Sequence, residues 1–196
     1  MVFMKKELVA AVSTYVSNCY AVDIPDFLVY HNLAHTEDIV AHSREIAAHY
    51  QVEENELCYL LIAAWFHDIG QMYVSPEWHE EKGAAVMQAF LADSCTPEEL
   101  DTIKHIILAT KASVTPNTLL EAIIRDADTY HFGTEHFFIT DALVKKETEL
   151  RTGTSFPGWK QQSIELLRSH QFYTAYCQKL LDEGKQKNIA ILEAQA

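Results

Sequence analysis

The sequence predicts an all-α fold, and three observations carry that expectation. Apolar residues recur at helical spacing in nearly every segment. No stretch keeps the period-two alternation of a half-buried strand. Turn chemistry falls between the periodic segments, at Ser75-Pro76 and at Thr115-Pro116-Asn117.

The spacing predicts a first helix over about Lys5 to Ala21 and a second over Thr36 to Tyr50. A third is expected from Glu53 to Gly70, with Gly70 as its C-terminal stop. The third helix carries the apolar run Leu57 to Phe66 and is apolar on most of its surface, which marks it for burial. Helices over Glu80 to Ser94, Pro97 to Ala109 and Leu119 to Asp128 follow, separated by loops at Gln71 to Trp78 and Lys111 to Thr118. After Gly133 the helical pattern resumes to about Leu150, breaks from Arg151 to Gly158 and returns from Trp159 to the C-terminus.

With 196 residues, 48% of them hydrophobic and 22% charged, the chain has the composition of one globular domain and not of a disordered segment. The piece after the break at 151–158 is too short to bury a core alone, so 1–196 is read as a single domain. Lys+Arg 15 against Asp+Glu 28 leaves a net charge of −13, which disfavours a long nucleic acid as partner. A small phosphorylated substrate stays compatible, because a bound divalent cation reverses the potential locally. Cys19, Cys58, Cys95 and Cys177 lie far apart with no C-x-x-C pair, so neither a zinc ribbon nor a disulfide framework is expected, and a cytoplasmic location fits. The longest apolar run is too short to span a bilayer, and the N-terminus lacks the order of a secretory signal, so no membrane partner is expected. A homo-oligomer is left open.

The chemistry gathers in three places. Trp65-Phe66-His67-Asp68-Ile69-Gly70 ends the apolar run, and an imidazole beside a carboxylate is costly to bury unless each finds a strong partner. A metal ion is one such partner; an ion pair or a capping network is the other. Upstream, His31 and His35 stand four residues apart, so on a helical turn they point the same way. Downstream, Asp126 and Asp128 end the apolar stretch Leu119 to Ile124, and at least one of them must face inward. Imidazole and carboxylate together suit manganese, iron, cobalt, nickel or zinc.

In this order, a His, a His-Asp pair and a distant Asp, the chain resembles the HD superfamily of metal-dependent phosphohydrolases over roughly Tyr30 to Gly133. The resemblance implies a single HD domain with its metal-site core at about 30–133 and helices at about 134–196 packed on it. It implies His35, His67, Asp68 and Asp128 as metal ligands, Asp128 being the Asp that lines up with the family's last ligand and Asp126 the alternative. Tyr30-His31-Asn32 followed by His35 is also similar to the opening signature of cyclic-nucleotide phosphodiesterases, although Thr36 departs from it. That likeness implies His31 as general acid.

Some members of the superfamily bind a second metal, and His79 and His105 fall where those ligands would lie. His105 is read as interrupting an apolar helix face, where a solvated histidine would be out of place. One or two divalent cations are therefore expected, with Asp68 bridging and helping to activate water. The implied activity is hydrolysis of a phosphate ester or anhydride on a small molecule, a nucleotide being one candidate. A two-iron oxygenase of the same superfamily, or a non-catalytic HD sensor or interaction domain, is the alternative. His42 is placed behind the site at most, and His131, His136 and His170 receive no role. Lys104, Lys111 and Arg125 lie near the proposed ligands and could contact phosphate, although such residues are more often solvated helix residues.

Overall fold

A computed structural model of the chain describes residues 2–194, and among these there are nine α-helices and no strand. They are α1 (Val2–Asp23), α2 (Leu33–His49), α3 (Glu54–Phe66), α4 (His79–Leu91), α5 (Pro97–Leu108), α6 (Leu119–Asp128), α7 (Phe137–Thr152), α8 (Trp159–Ser169) and α9 (Ala175–Ala194). Single 3₁₀ turns at Ile69–Met72, Pro76–Trp78 and Tyr130–Gly133 link α3 to α4 and α6 to α7. No helix among the described residues is long and apolar enough to cross a membrane.

α3 is the axis of the molecule. Leu60, Leu61, Ile62, Ala63, Ala64, Trp65 and Phe66 are all buried, as expected of a helix with no polar face. α1, α2, α4, α5 and α6 pack around it. Their inward residues, among them Val16, Ile46, Met87, Ile107 and Ile123, form one hydrophobic cluster that runs on through Phe137, Leu167 and Leu192 of the C-terminal helices.

Local chemistry sets most of the boundaries. Asn32 caps α2, its side-chain oxygen accepting from the amides of Ala34 (2.9 Å) and His35 (3.3 Å), so α2 starts three residues before Thr36. Thr96 and Glu99 form a capping box at the start of α5, with Pro97 in the first turn. Gly153, at φ 67°, ends α7 in the left-handed conformation that glycine adopts at no steric cost.

Two expectations fail here. α3 stops at Phe66, four residues before Gly70, and Gly70 is no C-terminal stop: it lies in a 3₁₀ turn with φ outside the left-handed region. Its role is close approach, because a Cβ there would sit 2.0 Å from the His79 carbonyl oxygen and 2.9 Å from the Gly83 amide. The expected continuous helix after Trp159 is broken at 170–174. The cause is distant in sequence: the buried Asp126 carboxylate accepts from the amides of Tyr173 (2.8 Å) and Thr174 (2.8 Å) and from the Thr174 hydroxyl (2.6 Å). Those amides are thereby held outside any helix. α9 is pinned further by Asn188, whose amide donates to the carbonyls of Phe132 (2.9 Å) and Thr134 (2.8 Å).

Candidate metal centre

The end of α3 is where the polar groups converge. Because α3 terminates at Phe66, His67 and Asp68 leave the helix and turn into the space between α2 and α6. α2 supplies His35 from its first turn, and α6 supplies Asp128 from its last residue. Asp126 and Asp128, two residues apart on a helix, point about 200° apart. The structure turns Asp126 to the α9 side and Asp128 to the histidines.

His35, His67 and Asp128 each offer one ligand atom, and these atoms lie within 4.8 Å of one another. His35 Nε2 stands 3.3 Å from Asp68 Oδ2 and 3.4 Å from Asp128 Oδ1, and His67 Nε2 stands 3.3 and 3.8 Å from the same two oxygens. Asp68 turns its other oxygen, Oδ1, to His79 Nε2 at 3.2 Å. Its carboxylate therefore faces two sets of nitrogen.

The tautomers are fixed from behind. His67 Nδ1 lies 2.8 Å from the Ala64 carbonyl and His79 Nδ1 lies 2.5 Å from the Pro76 carbonyl. A carbonyl only accepts, so each Nδ1 carries the proton and each neutral ring keeps its Nε2 lone pair for the site. His35 Nε2 and His67 Nε2 are fully buried and make no hydrogen bond. Buried nitrogens without partners are costly, and a divalent cation accepting both lone pairs beside two carboxylates is the partner this donor set fits.

Electrostatics agree with that fit. Burial alone would lower the pKa of His35, but its contacts with Asp128 and Asp68 reverse the effect and push it up to about 10. Burial raises the Asp68 and Asp128 carboxyls, yet the surrounding histidines outweigh it and hold both below the usual carboxylate range. The histidine side chains are 6% (His35) and 1% (His67) exposed and Asp128 26%, so the cluster opens to solvent on its Asp128 side.

Residues 32–133 match the HD domain family. This covers more than half of the chain. The protein is a member of the HD domain family. Searches of curated proteins and of solved structures found no match. HD proteins are mostly metal-dependent hydrolases, and the family binds divalent metal.

In this HD protein one expected ligand lies elsewhere. His105 is 60% exposed, its Nδ1 donates to the Asp101 carbonyl at 2.8 Å, and it pairs with the Asp101 carboxylate at 3.4 Å. The inward face of α5 is Ile103, Ile106 and Ile107, and a residue two positions after Ile103 points about 200° away from it. His105 thus interrupts no apolar face, and the two-iron alternative loses one of the two histidines it leaned on. Two of the candidate phosphate contacts are already engaged: Arg125 donates to the carbonyls of Ala109, Thr110 and Lys111 at the end of α5, and Lys111 pairs with Glu81.

The HD protein also holds a residue that the sequence reading missed. Glu147, buried on α7, accepts from His31 Nδ1 at 2.5 Å and from the amides of Tyr30 (2.9 Å) and His31 (3.0 Å). Burial pushes its carboxyl up, but the bond and charge of His31, with the two amides, bring it below the ordinary value. The one available signal was a charge on the buried stripe of α7, seven residues after the buried Thr140. His131 was also passed over; its ring stands between two cavities that meet at Tyr30, and burial holds it neutral with its pKa lowered to about 3.

Proposed function

We propose that this HD protein hydrolyses a phosphate ester or anhydride of a small molecule, a nucleotide being one candidate. The observation that supports it is the placement of His31. Its ring lies 5.7 Å from the His35 ring, centroid to centroid, and lines the cavity that opens beside Asp128. With Nδ1 engaged by Glu147, Nε2 is the nitrogen left to move a proton.

His35, His67 and Asp128, with Asp68 Oδ2, would hold one divalent cation; Asp68 Oδ1 and His79 offer two ligands toward a second. Such a cation supplies acidification of water and neutralisation of charge on the phosphoryl oxygens. In the reaction, the attacking water loses one proton to solvent as its oxygen bonds to phosphorus, the bond to the leaving oxygen breaks with its electron pair going to that oxygen, and His31 donates the proton that oxygen needs and regains one from solvent. Asp68, the carboxylate shared by both sets of nitrogen, would orient the attacking water. Glu147 keeps the His31 ring turned toward the cavity.

Protein purified without added metal is analysed for elements and then assayed, with and without added Mn²⁺, against aryl phosphates and a panel of phosphorylated metabolites. The reading expects a first-row metal at about one per chain and release of phosphate or an alcohol without oxygen uptake. Metal-free protein after purification and reloading, or oxygen consumption by the loaded protein, would end it.

A further inference from the structure

The sequence reading left the residues after Gly133 without a function, and the structure puts a cavity of about 330 Å³ among them. It lies between the metal centre and the helices α7 and α8. His31 and Asp128 form its inner wall, and Phe132, Asp141, Trp159 and Ser163 form the rest of the part argued here. Trp159 and Ser163 lie beyond the region that matches the HD family, so this wall belongs to this chain and not to the shared core.

Three features decide what fits. Among the described residues no lysine or arginine lines the cavity, while two carboxylates, Asp128 and Asp141, do. Asp141 is locked in place: its Oδ1 accepts from Trp159 Nε1 at 3.0 Å and from the Ser163 hydroxyl at 2.6 Å. Both of those donors use Oδ1, so Oδ2 keeps its acceptor capacity. Aromatic rings from Phe132, Phe137 and Trp159 supply flat apolar surface around it. A second phosphate or a carboxylate reaching the Asp141 wall would meet like charge, with no lysine or arginine there to offset it. A group with an N–H or O–H donor would find a fixed acceptor, and an ammonium would also find aromatic faces.

We infer that this cavity is the leaving-group subsite, and that it selects a leaving alcohol that bears a hydrogen-bond donor and no negative charge. The inference rests on the hydrolytic reading above and sharpens it: the substrate is a phosphate ester whose charge ends at the phosphoryl group, not a polyphosphate extended into the cavity. Asp141 is the specificity-determining residue.

The test uses phenyl phosphates that differ only in a para aminomethyl, hydroxymethyl or carboxyl group, with Mn²⁺-loaded protein. Wild type should show kcat/KM at least about tenfold higher for the first two than for the third, a difference of 1.4 kcal/mol. In Asp141→Asn, which keeps an oxygen for Trp159 and Ser163, the ranking should shrink to about twofold. Equal rates for all three esters, or an unchanged ranking in the variant, would overturn the inference. A second readout needs no turnover. Titration with 4-(aminomethyl)phenol should change the tryptophan fluorescence of wild type, with binding weakened about tenfold in Asp141→Asn and the signal lost in Trp159→Phe. If none of the esters is hydrolysed, the hydrolytic reading fails, and this titration alone decides the subsite: no binding, or binding indifferent to Asp141, sinks it.

Discussion

Glu147 and His31, 116 residues apart in sequence, meet side chain to side chain at 2.5 Å, and the same carboxylate takes the His31 amide at 3.0 Å. The contact ties α7, outside the matched family region, to the segment that leads into α2. It leaves the imidazole with one free nitrogen at the mouth of the metal centre.

Replacing His31 by Ala should therefore lower kcat by about 10²–10⁴, the range usual for a general acid. Glu147→Gln keeps the shape but weakens the hold, and should lower kcat by about 10–10². Both variants should retain wild-type metal content, since neither side chain belongs to the ligand cluster. Adding Glu147→Gln to His31→Ala should cost nothing further, because a positioning residue has nothing left to position. Kinetics of the double variant and elemental analysis check this together; additive losses would mean that Glu147 acts independently.

The two histidines offered as second-metal ligands part company. His79 Nε2 lies 3.2 Å from Asp68 Oδ1 with its Nδ1 held by Pro76, whereas His105 is exposed and paired with Asp101. His79→Ala should weaken any second equivalent of Mn²⁺ in a titration by at least about tenfold, in the range seen for lost ligand support. His105→Ala should leave both metal binding and turnover within about twofold of wild type, as surface substitutions usually do. A loss of metal in His105→Ala would contradict the placement of α5.

Helical periodicity made the fold class legible, and α6 has the bounds Leu119–Asp128 that its pattern predicted. His67-Asp68 and the pair Asp126 and Asp128 stand out in the sequence as polar groups ending apolar stretches, whereas His35, His79 and the choice of Asp128 come from the resemblance to the HD superfamily. What sequence could not show is set by contacts between distant segments. His67 and Asp68 read as the continuation of α3, whereas the chain leaves the helix at Phe66 and enters the 3₁₀ turn that packs against α4. The break at 170–174 carries neither Pro nor Gly; it exists because Asp126 captures two amides 47 and 48 residues downstream. Glu147 follows the same logic, a charge whose partner lies on another element. His105 misled because identity was weighed without helical phase, and phase puts it opposite Ile103.

Gly70 offers a steric test of how the site is assembled. The 3₁₀ turn it occupies presses against the start of α4, with the His79 carbonyl 2.0 Å from where a Cβ would stand. That oxygen is backbone and cannot swing aside as a flexible side chain would. Gly70→Ala should destabilise the protein by about 1–3 kcal/mol, as overpacking typically does. It should also move His79 away from Asp68. Chemical denaturation measures the first effect. A weaker second equivalent of Mn²⁺, with the first unchanged, measures the second.

The charge state of the cluster sets how metal binding responds to pH. In the metal-free protein, Asp128 and Asp68 overcome burial and raise the His35 pKa from 6.5 to about 10, and His67 is raised as well. Protonated His35 between two carboxylates therefore stabilises the metal-free fold fully below pH 6.5, and that contribution is lost as pH rises toward 10. A cation needs the His35 lone pair, so it must displace this proton. The signs are opposite: the metal-free protein draws stability from the proton, and the metal competes with it. Affinity for Mn²⁺ should consequently rise about tenfold per pH unit between pH 6.5 and 8 for each proton displaced. Calorimetric titrations in two buffers of different ionisation enthalpy count that proton directly. At least one should be released per Mn²⁺ bound at pH 7, and Asp128→Asn, which removes one of the charges holding it, should release fewer. Binding without proton release, and with affinity flat across this range, would mean that His35 does not ligate the metal.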